Sequence, residues 1–401
     1  MTFFLHPTRV LHAALLTAVL PLAAAQTAAA QTGAAQTGAA QTGSAETADV
    51  SGGRAPAVAA PAGSEDALLA YWTADRLAHA KNLDLIVATR PPALHARPVT
   101  SGARQIFRGG LPTAEYDASL AVDMPGSVAA LEAKALAHPR LAGTSGQPYT
   151  TNKLYPSSGA ALYKAYPYGT VGHLFFTEPS GDYQCSASVI RASVIATAGH
   201  CVNDGSGHYY KNWVFYPAEA GTLKPYGAWT WSNADTTSAW YSGGGGVPNT
   251  QDDALIILKT RTISSVVHRL GDFTGYLGYE FNAAIPNSIT QLGYPCNLDG
   301  CSDPVATYAQ VSSGPSNTFL WGSATQGGGS GGPILQDFGQ APSGVPSETL
   351  GGNIVVASFS FYYTASGYDE DGASIFYAPG QNGDYTFGDL VNWACTGTSN
   401  C

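Results

Sequence analysis

Three stretches of the chain carry residues whose types and settings suit one kind of chemistry. In Gln326-Gly327-Gly328-Gly329-Ser330-Gly331-Gly332-Pro333 a single serine sits in a run of glycines. Glycine loses more backbone entropy on ordering than other residues, so such a run belongs where the chain must turn sharply or approach something closely. A nucleophilic hydroxyl needs that kind of turn. It must project into a cleft while nearby backbone N–H groups point at the place where an oxyanion forms. Ser330 is the candidate nucleophile, and the amides of Gly328 and Ser330 are the candidate oxyanion donors. A flexible Gly/Ser linker has a similar composition, but here Pro333 leads into the apolar pair Ile334-Leu335, which reads as the start of a strand.

Serine is a poor nucleophile without a base, and the base needs an orienting carboxylate. In Ala196-Thr197-Ala198-Gly199-His200-Cys201 an apolar strand ends in small residues and then presents His200. Imidazole titrates near neutrality, so His200 suits general base and then general acid. A bridge between Cys185 and Cys201 would close a strand–turn–strand loop around it, and a loop of that size is worth about 3 kcal/mol in the chain-entropy model. In Asp252-Asp253-Ala254-Leu255-Ile256-Ile257-Leu258 a carboxylate pair heads an apolar strand. One of the two, buried where the strand begins, would accept the histidine Nδ1–H and fix its tautomer. The chain order His, Asp, Ser is one of the known triad orders.

The elements that must position these residues are mostly strands. Of 401 residues only 11% are charged, while Gly numbers 47 and Tyr 22, which favours many short strands and turns over long helices. Strands are expected at Val171–Phe176, Tyr183–Ile190, Ser193–Thr197, Trp213–Tyr216, Ala254–Lys259, Ile289–Gly293, Ile334–Gln336 and Asn353–Phe361. A helix along Phe387, Leu390, Val391 and Ala394 closes the chain.

The precursor-like start differs in character. Arg9 precedes an apolar run from Val10 to Ala25 that ends in small residues, so residues 1–25 read as a cleaved export signal. Gln-Thr pairs recur from Gln26 in an Ala/Gly/Thr-rich tether with little to bury. Ser64 is positioned to cap a helix running to about residue 81, and a second weak helix is expected over Ser127–Ala137. Two such helices make a poor core, so residues 26–145 read as a propeptide and 146–401 as the functional domain. The formal net charge of −10 lies wholly in residues 146–401, which argues against a nucleic-acid partner. The six cysteines lie there too, and an even count in an exported chain suggests three disulfides. Cys296 and Cys301 flank a short turn, and Cys395 and Cys401 tie the tail to the last helix. Asp369-Glu370-Asp371-Gly372 lacks a full set of calcium ligands and reads as a solvated acidic turn. No cofactor or metal motif is recognised, and after signal cleavage no membrane span remains.

The motifs Cys185-Ser186-Ala187-Ser188-Val189-Ile190, Thr197-Ala198-Gly199-His200-Cys201, Asp252-Asp253-Ala254-Leu255 and Gly328-Gly329-Ser330-Gly331-Gly332-Pro333 together resemble the secreted bacterial trypsin-like serine peptidases of the chymotrypsin fold, the group that includes the glutamyl endopeptidases. The resemblance covers about residues 165–395. It implies an all-β fold of two packed six-stranded antiparallel barrels with the site between them, and it selects Asp252 over Asp253. It implies a secreted, monomeric endopeptidase acting on proteins or peptides through an acyl-enzyme. It places the substrate pocket at Ala324, Thr325, Ser358 and Ser360. Thr325 matches a position used by glutamate-specific relatives, while the histidine those relatives place before the later strand's serine is Ala357 here. Gly329 stands where digestive relatives carry an aspartate that pairs with a new N-terminus. That activation switch is therefore not expected, and the propeptide is expected to block the site or to assist folding.

Overall fold

The computed structural model describes residues 56–89, 102–124, 148–154, 162–284, 286, 288–339, 352–365, 369–396 and 399–401. The expected signal, most of the tether and the helix over Ser127–Ala137 lie outside the described residues. No helix among the described residues is long and apolar enough to cross a membrane.

Six strands of the first sheet form its barrel: β1 (Val171–Glu178), β2 (Gly181–Arg191), β3 (Val194–Thr197), β4 (Lys211–Pro217), β5 (Trp229–Thr236) and β6 (Ala254–Leu258). They are antiparallel neighbours in the order β5-β4-β1-β2-β3-β6, and β6 pairs back onto β5, so the sheet closes into a barrel. Its interior is packed with large side chains such as Trp213, Trp229, Leu174 and Phe215, all at most 1% exposed. Closure pairs the first and last of these strands with each other, and the ends of β5 and β2 beyond the barrel ladder take short added strands.

The second sheet contains β7 (Ile289–Gly293), β8 (Val305–Ala309), β9 (Val311–Ser313), β10 (Thr318–Gly322), β11 (Pro333–Gln336), β12 (Ile354–Tyr363) and β13 (Glu370–Ile375). The order is β9-β10-β13-β12-β11-β7-β8, with Tyr149–Lys153 added beyond β8. It curls around a core of Ile334, Val356, Phe359 and Trp321 but its two ends do not pair, so the second barrel of the expected fold is an open half-barrel here. The closing helix spans Phe387–Cys395 and buries Phe387, Leu390, Val391 and Ala394, as its apolar face requires.

Two expectations are corrected. The helix from Ser64 is two helices, Glu65–Tyr71 and Ala74–His79. Ser64 Oγ donates to the Pro61 carbonyl and caps nothing; Thr73 Oγ1 accepts the Arg76 N–H and starts a new helix. Asp369-Glu370-Asp371 is no solvated turn. Glu370 and Asp371 open strand β13, and all three side chains are buried.

The described residues before 146 are woven into the body. Val58–Ala59 pairs with β5, Lys81–Asn82 with β2, and Ile86–Val87 with β12. Trp72, 1% exposed, packs on Phe175 and donates its indole N–H to the Asn212 carbonyl.

Candidate functional site

The first barrel brings His200 and Asp252 together through one ladder. β3 and β6 are antiparallel neighbours with Thr197 opposite Ala254. The residues just after β3 and just before β6 therefore emerge at the same end. His200 lies in the single helical turn Gly199–Cys201 after β3, and Asp252 lies two residues before the start of β6. His200 Nδ1 lies 2.8 Å from Asp252 Oδ2, and the His200 backbone N–H donates to Asp252 Oδ1 at 2.8 Å. The carboxylate also accepts the Ser360 hydroxyl at 2.5 Å, and the Asp252 N–H donates to Ser374 Oγ at 2.9 Å. Both side chains of the pair are at most 2% exposed. With Nδ1–H committed to a carboxylate, the proton-accepting nitrogen is Nε2. His200 Nε2 is buried and makes no hydrogen bond in this state. Trp240 packs edge-on against the imidazole, with ring centroids 6.0 Å apart, and fills the space beside Gly199.

Asp253 is equally buried but points elsewhere, and neither of its oxygens finds a hydrogen bond. Burial, with the Asp252 charge beside it, pushes its carboxyl well above the ordinary carboxylate range. Of the acidic pair, only Asp252 meets the histidine.

The second sheet brings the serine. Ser330 sits just before β11, in a loop docked flush on the first barrel. The Ser186 N–H of β2 donates to the Ser330 carbonyl at 2.7 Å, and Ser186 Oγ donates to the Gly328 carbonyl at 2.8 Å. Gly331 takes φ +78°, and a Cβ there would stand 2.0 Å from Thr197 Oγ1, so only glycine permits this approach to the strand that ends at His200. The Cys185–Cys201 bridge pins the same corner; Cys296–Cys301 and Cys395–Cys401 complete the disulfides. Gly329 has no room for the carboxylate that digestive relatives carry: a Cβ would meet the Thr325 methyl at 2.6 Å.

The expected pocket residues separate. Ala324 and Thr325 are buried just before the serine, held by Asn297, whose Nδ2 donates to the Ala324 carbonyl at 2.7 Å, and by Ser323, whose Oγ accepts the Thr325 N–H at 3.0 Å. Ser358 is buried in the ladder opposite Pro333 and Ser374. The Ser360 hydroxyl is committed to Asp252. A register shift between Phe359 and Phe361 separates it from the frame of Ser358. The serine that meets the aspartate is thus preceded by Phe359, not by Ala357, and neither is a histidine. Ser186, Ser374 and Trp240 support the site without any sequence signal pointing to their roles; Ser186 alone falls inside a recognised motif.

Beneath this region Asp371 accepts the Gln291 amide at 2.8 Å, and Gln291 also receives Trp321 and Ser323. Burial drives the Asp371 carboxyl well above its usual range, with the charges of Asp369 and Glu370 adding to it. Among the described residues, the group of potential metal ligands that comes together is Cys185, His200 and Cys201, and both sulfurs are bonded in the disulfide, so no thiolate is available.

No family model matches the chain. A curated glutamyl endopeptidase of Bacillus licheniformis is 30% identical over 180 residues, 43% of this chain and 50% of that protein. The chain thus spans about half the length of the curated relative it matches. Among solved structures, the protease Anisep from Arthrobacter nicotinovorans is 26% identical, covering 53% of this chain and 92% of its own, with TM-score 0.44. The thermostable serine protease AL20 from an extremophilic microorganism is 23% identical, covering 58% and 99%, with TM-score 0.47.

Proposed function

We propose, from the chain's kinship with the glutamyl-endopeptidase-like group of bacterial trypsin-like serine peptidases, that it is an exported serine endopeptidase using Ser330, His200 and Asp252. The observation that carries this is the buried His200–Asp252 pair with an unpartnered Nε2, set against a glycine-framed serine loop docked on the same barrel corner. In the reaction, Ser330 Oγ gives its proton to His200 Nε2 and attacks the peptide carbonyl. Asp252 stays ionised and stabilises the imidazolium, helped by the Ser360 hydroxyl. The tetrahedral oxyanion lies between the amides of Gly328 and Ser330. His200 Nε2–H then protonates the departing amine, leaving an acyl-Ser330 ester. Water, deprotonated by the same nitrogen, hydrolyses the ester and restores the serine.

Substrates are proteins or peptides rather than nucleic acid, and the enzyme acts outside the cell as a monomer after loss of residues 1–25 and 26–145. Ala324 offers no carboxylate to a basic P1 side chain, so a trypsin-like preference is not expected. Thr325 and the relative's name make glutamate the P1 residue to test first. The experiment is digestion of an unfolded, reduced protein with cleavage-site mapping, beside a small ester and with Ser330→Ala as control. Cuts that vanish in the variant support an endopeptidase. Ester hydrolysis with the protein left intact points to an esterase, and neither activity in a folded sample points to a binding protein.

A further inference from the structure

We propose that residues Asn82–Val87 occupy the substrate cleft from within, so that the full chain is held shut by its own N-terminal stretch. This rests on the reading of Ser330 as the nucleophile. β11 accompanies β12 only as far as Ser358. There the serine loop takes over: the Gly331 N–H donates to the Phe359 carbonyl, and the Phe359 N–H to the Gly332 carbonyl. Past that point, the edge of β12 facing away from β13 runs directly out from Ser330 as a bare strand edge, which is the feature an extended peptide pairs with.

That edge is already filled. The Tyr362 N–H donates to the Leu85 carbonyl at 3.2 Å and the Thr364 N–H to the Val87 carbonyl at 3.1 Å. Ile86 lies opposite Tyr362 and Val87 opposite Tyr363, in a parallel pair. Leu85 and Val87 pack against Leu320, Phe361 and Tyr363. At its other end the segment pairs with β2, with Asn82 opposite Gln184 and its Oδ1 accepting the Gln184 amide at 2.8 Å. Gln184 adjoins Cys185, whose disulfide partner follows His200. Between these anchors the segment crosses from one sheet to the other directly over the serine loop. A Cβ on Gly327 would stand 1.6 Å from Asp84 Oδ1 and 2.7 Å from Asn82 Cβ. Gly327 adjoins Gly328, one of the two oxyanion donors. A carboxylate side chain and a borrowed strand thus stand where a substrate would enter and pair.

The test uses the full-length chain, checked by mass, and two readouts. One is hydrolysis of a fluorogenic hexapeptide, which needs the β12 edge. The other is labelling of Ser330 by a small fluorophosphonate, which does not. Leu85→Asp with Val87→Asp removes the apolar anchor, and Val87→Pro places a residue without an N–H in the ladder. Either change is expected to lower the apparent KM for the hexapeptide about tenfold with kcat unchanged, as expected when an internal competitor is weakened. A merely structural segment would instead lower kcat or stability. Unchanged KM in folded variants that label like wild type overturns the inference and leaves the endopeptidase reading intact. Absence of both labelling and hydrolysis in every variant defeats that reading and the inference with it.

Discussion

The closed barrel and the open sheet divide the chemistry unequally. In the barrel every strand has two neighbours, and the Thr197–Ala254 register brings His200 and Asp252 to the same end. The open sheet carries Ser330 and the long strand β12, and it borrows strands from residues before 154 to cover what closure would have covered. The His200–Asp252 pair is therefore preassembled, whereas the edge of β12 beyond the Ser330 loop carries Ile86–Val87.

The sharpest way to break this division is at Asp252. Asp252→Asn keeps the donors of His200 and Ser360 nearby but removes the charge, and kcat is expected to fall on the order of 10⁴-fold with little change in Tm. Steady-state kinetics beside thermal unfolding checks it. Glu219→Gln comes next. Glu219 is buried with Lys224 and His173 where the barrel meets Tyr294, on whose ring His173 stacks. Burial opposes its ionisation, yet Lys224 and His173 together hold the carboxyl below its usual range. Its contribution is then complete above the ordinary carboxylate pKa and lost as pH falls through the lowered value. The variant leaves Lys224 buried without its counter-ion, and about 3 kcal/mol should be lost in urea unfolding at neutral pH, less in acid.

Ser360→Ala removes one hydrogen bond to a buried carboxylate and should lower kcat about tenfold while leaving the P1 profile unchanged. A changed P1 profile would support the expected place of Ser360 in the pocket. The smallest effect belongs to the open sheet. The Asp371 carboxyl is raised by burial, so its share of stability is full below the ordinary carboxylate pKa and fades as pH rises through the raised value. Asp371→Asn should remove that fading, so the Tm difference moves in the variant's favour from acid to alkaline pH.

Much of the barrel was legible because its strands are apolar runs ended by small or turn residues, and His200 and Asp252 sit at such ends. The cysteine spacings likewise marked three local bridges. β13 was not legible. Asp-Glu-Asp-Gly has the composition of a turn, and what makes it a strand is burial beside Gln291, 80 residues away in sequence. Trp229–Thr236 carries Ser, Asn and Asp among its aromatics and shows no clean alternation, yet it closes the barrel. The role of Ser360 depends on a register shift that no spacing rule displays. The strands of residues 58–87 are two residues long, too short for any period, and exist only because the body offers edges to pair with.

The central claim is that Ser330 is made reactive by the His200–Asp252 pair. Mapping the adduct formed by a small fluorophosphonate on the folded chain tests it most directly. One adduct per chain, on Ser330, lost in both Ser330→Ala and His200→Ala, is the predicted result. A folded chain that takes no label, or that keeps its label when Ser330 is replaced, contradicts it.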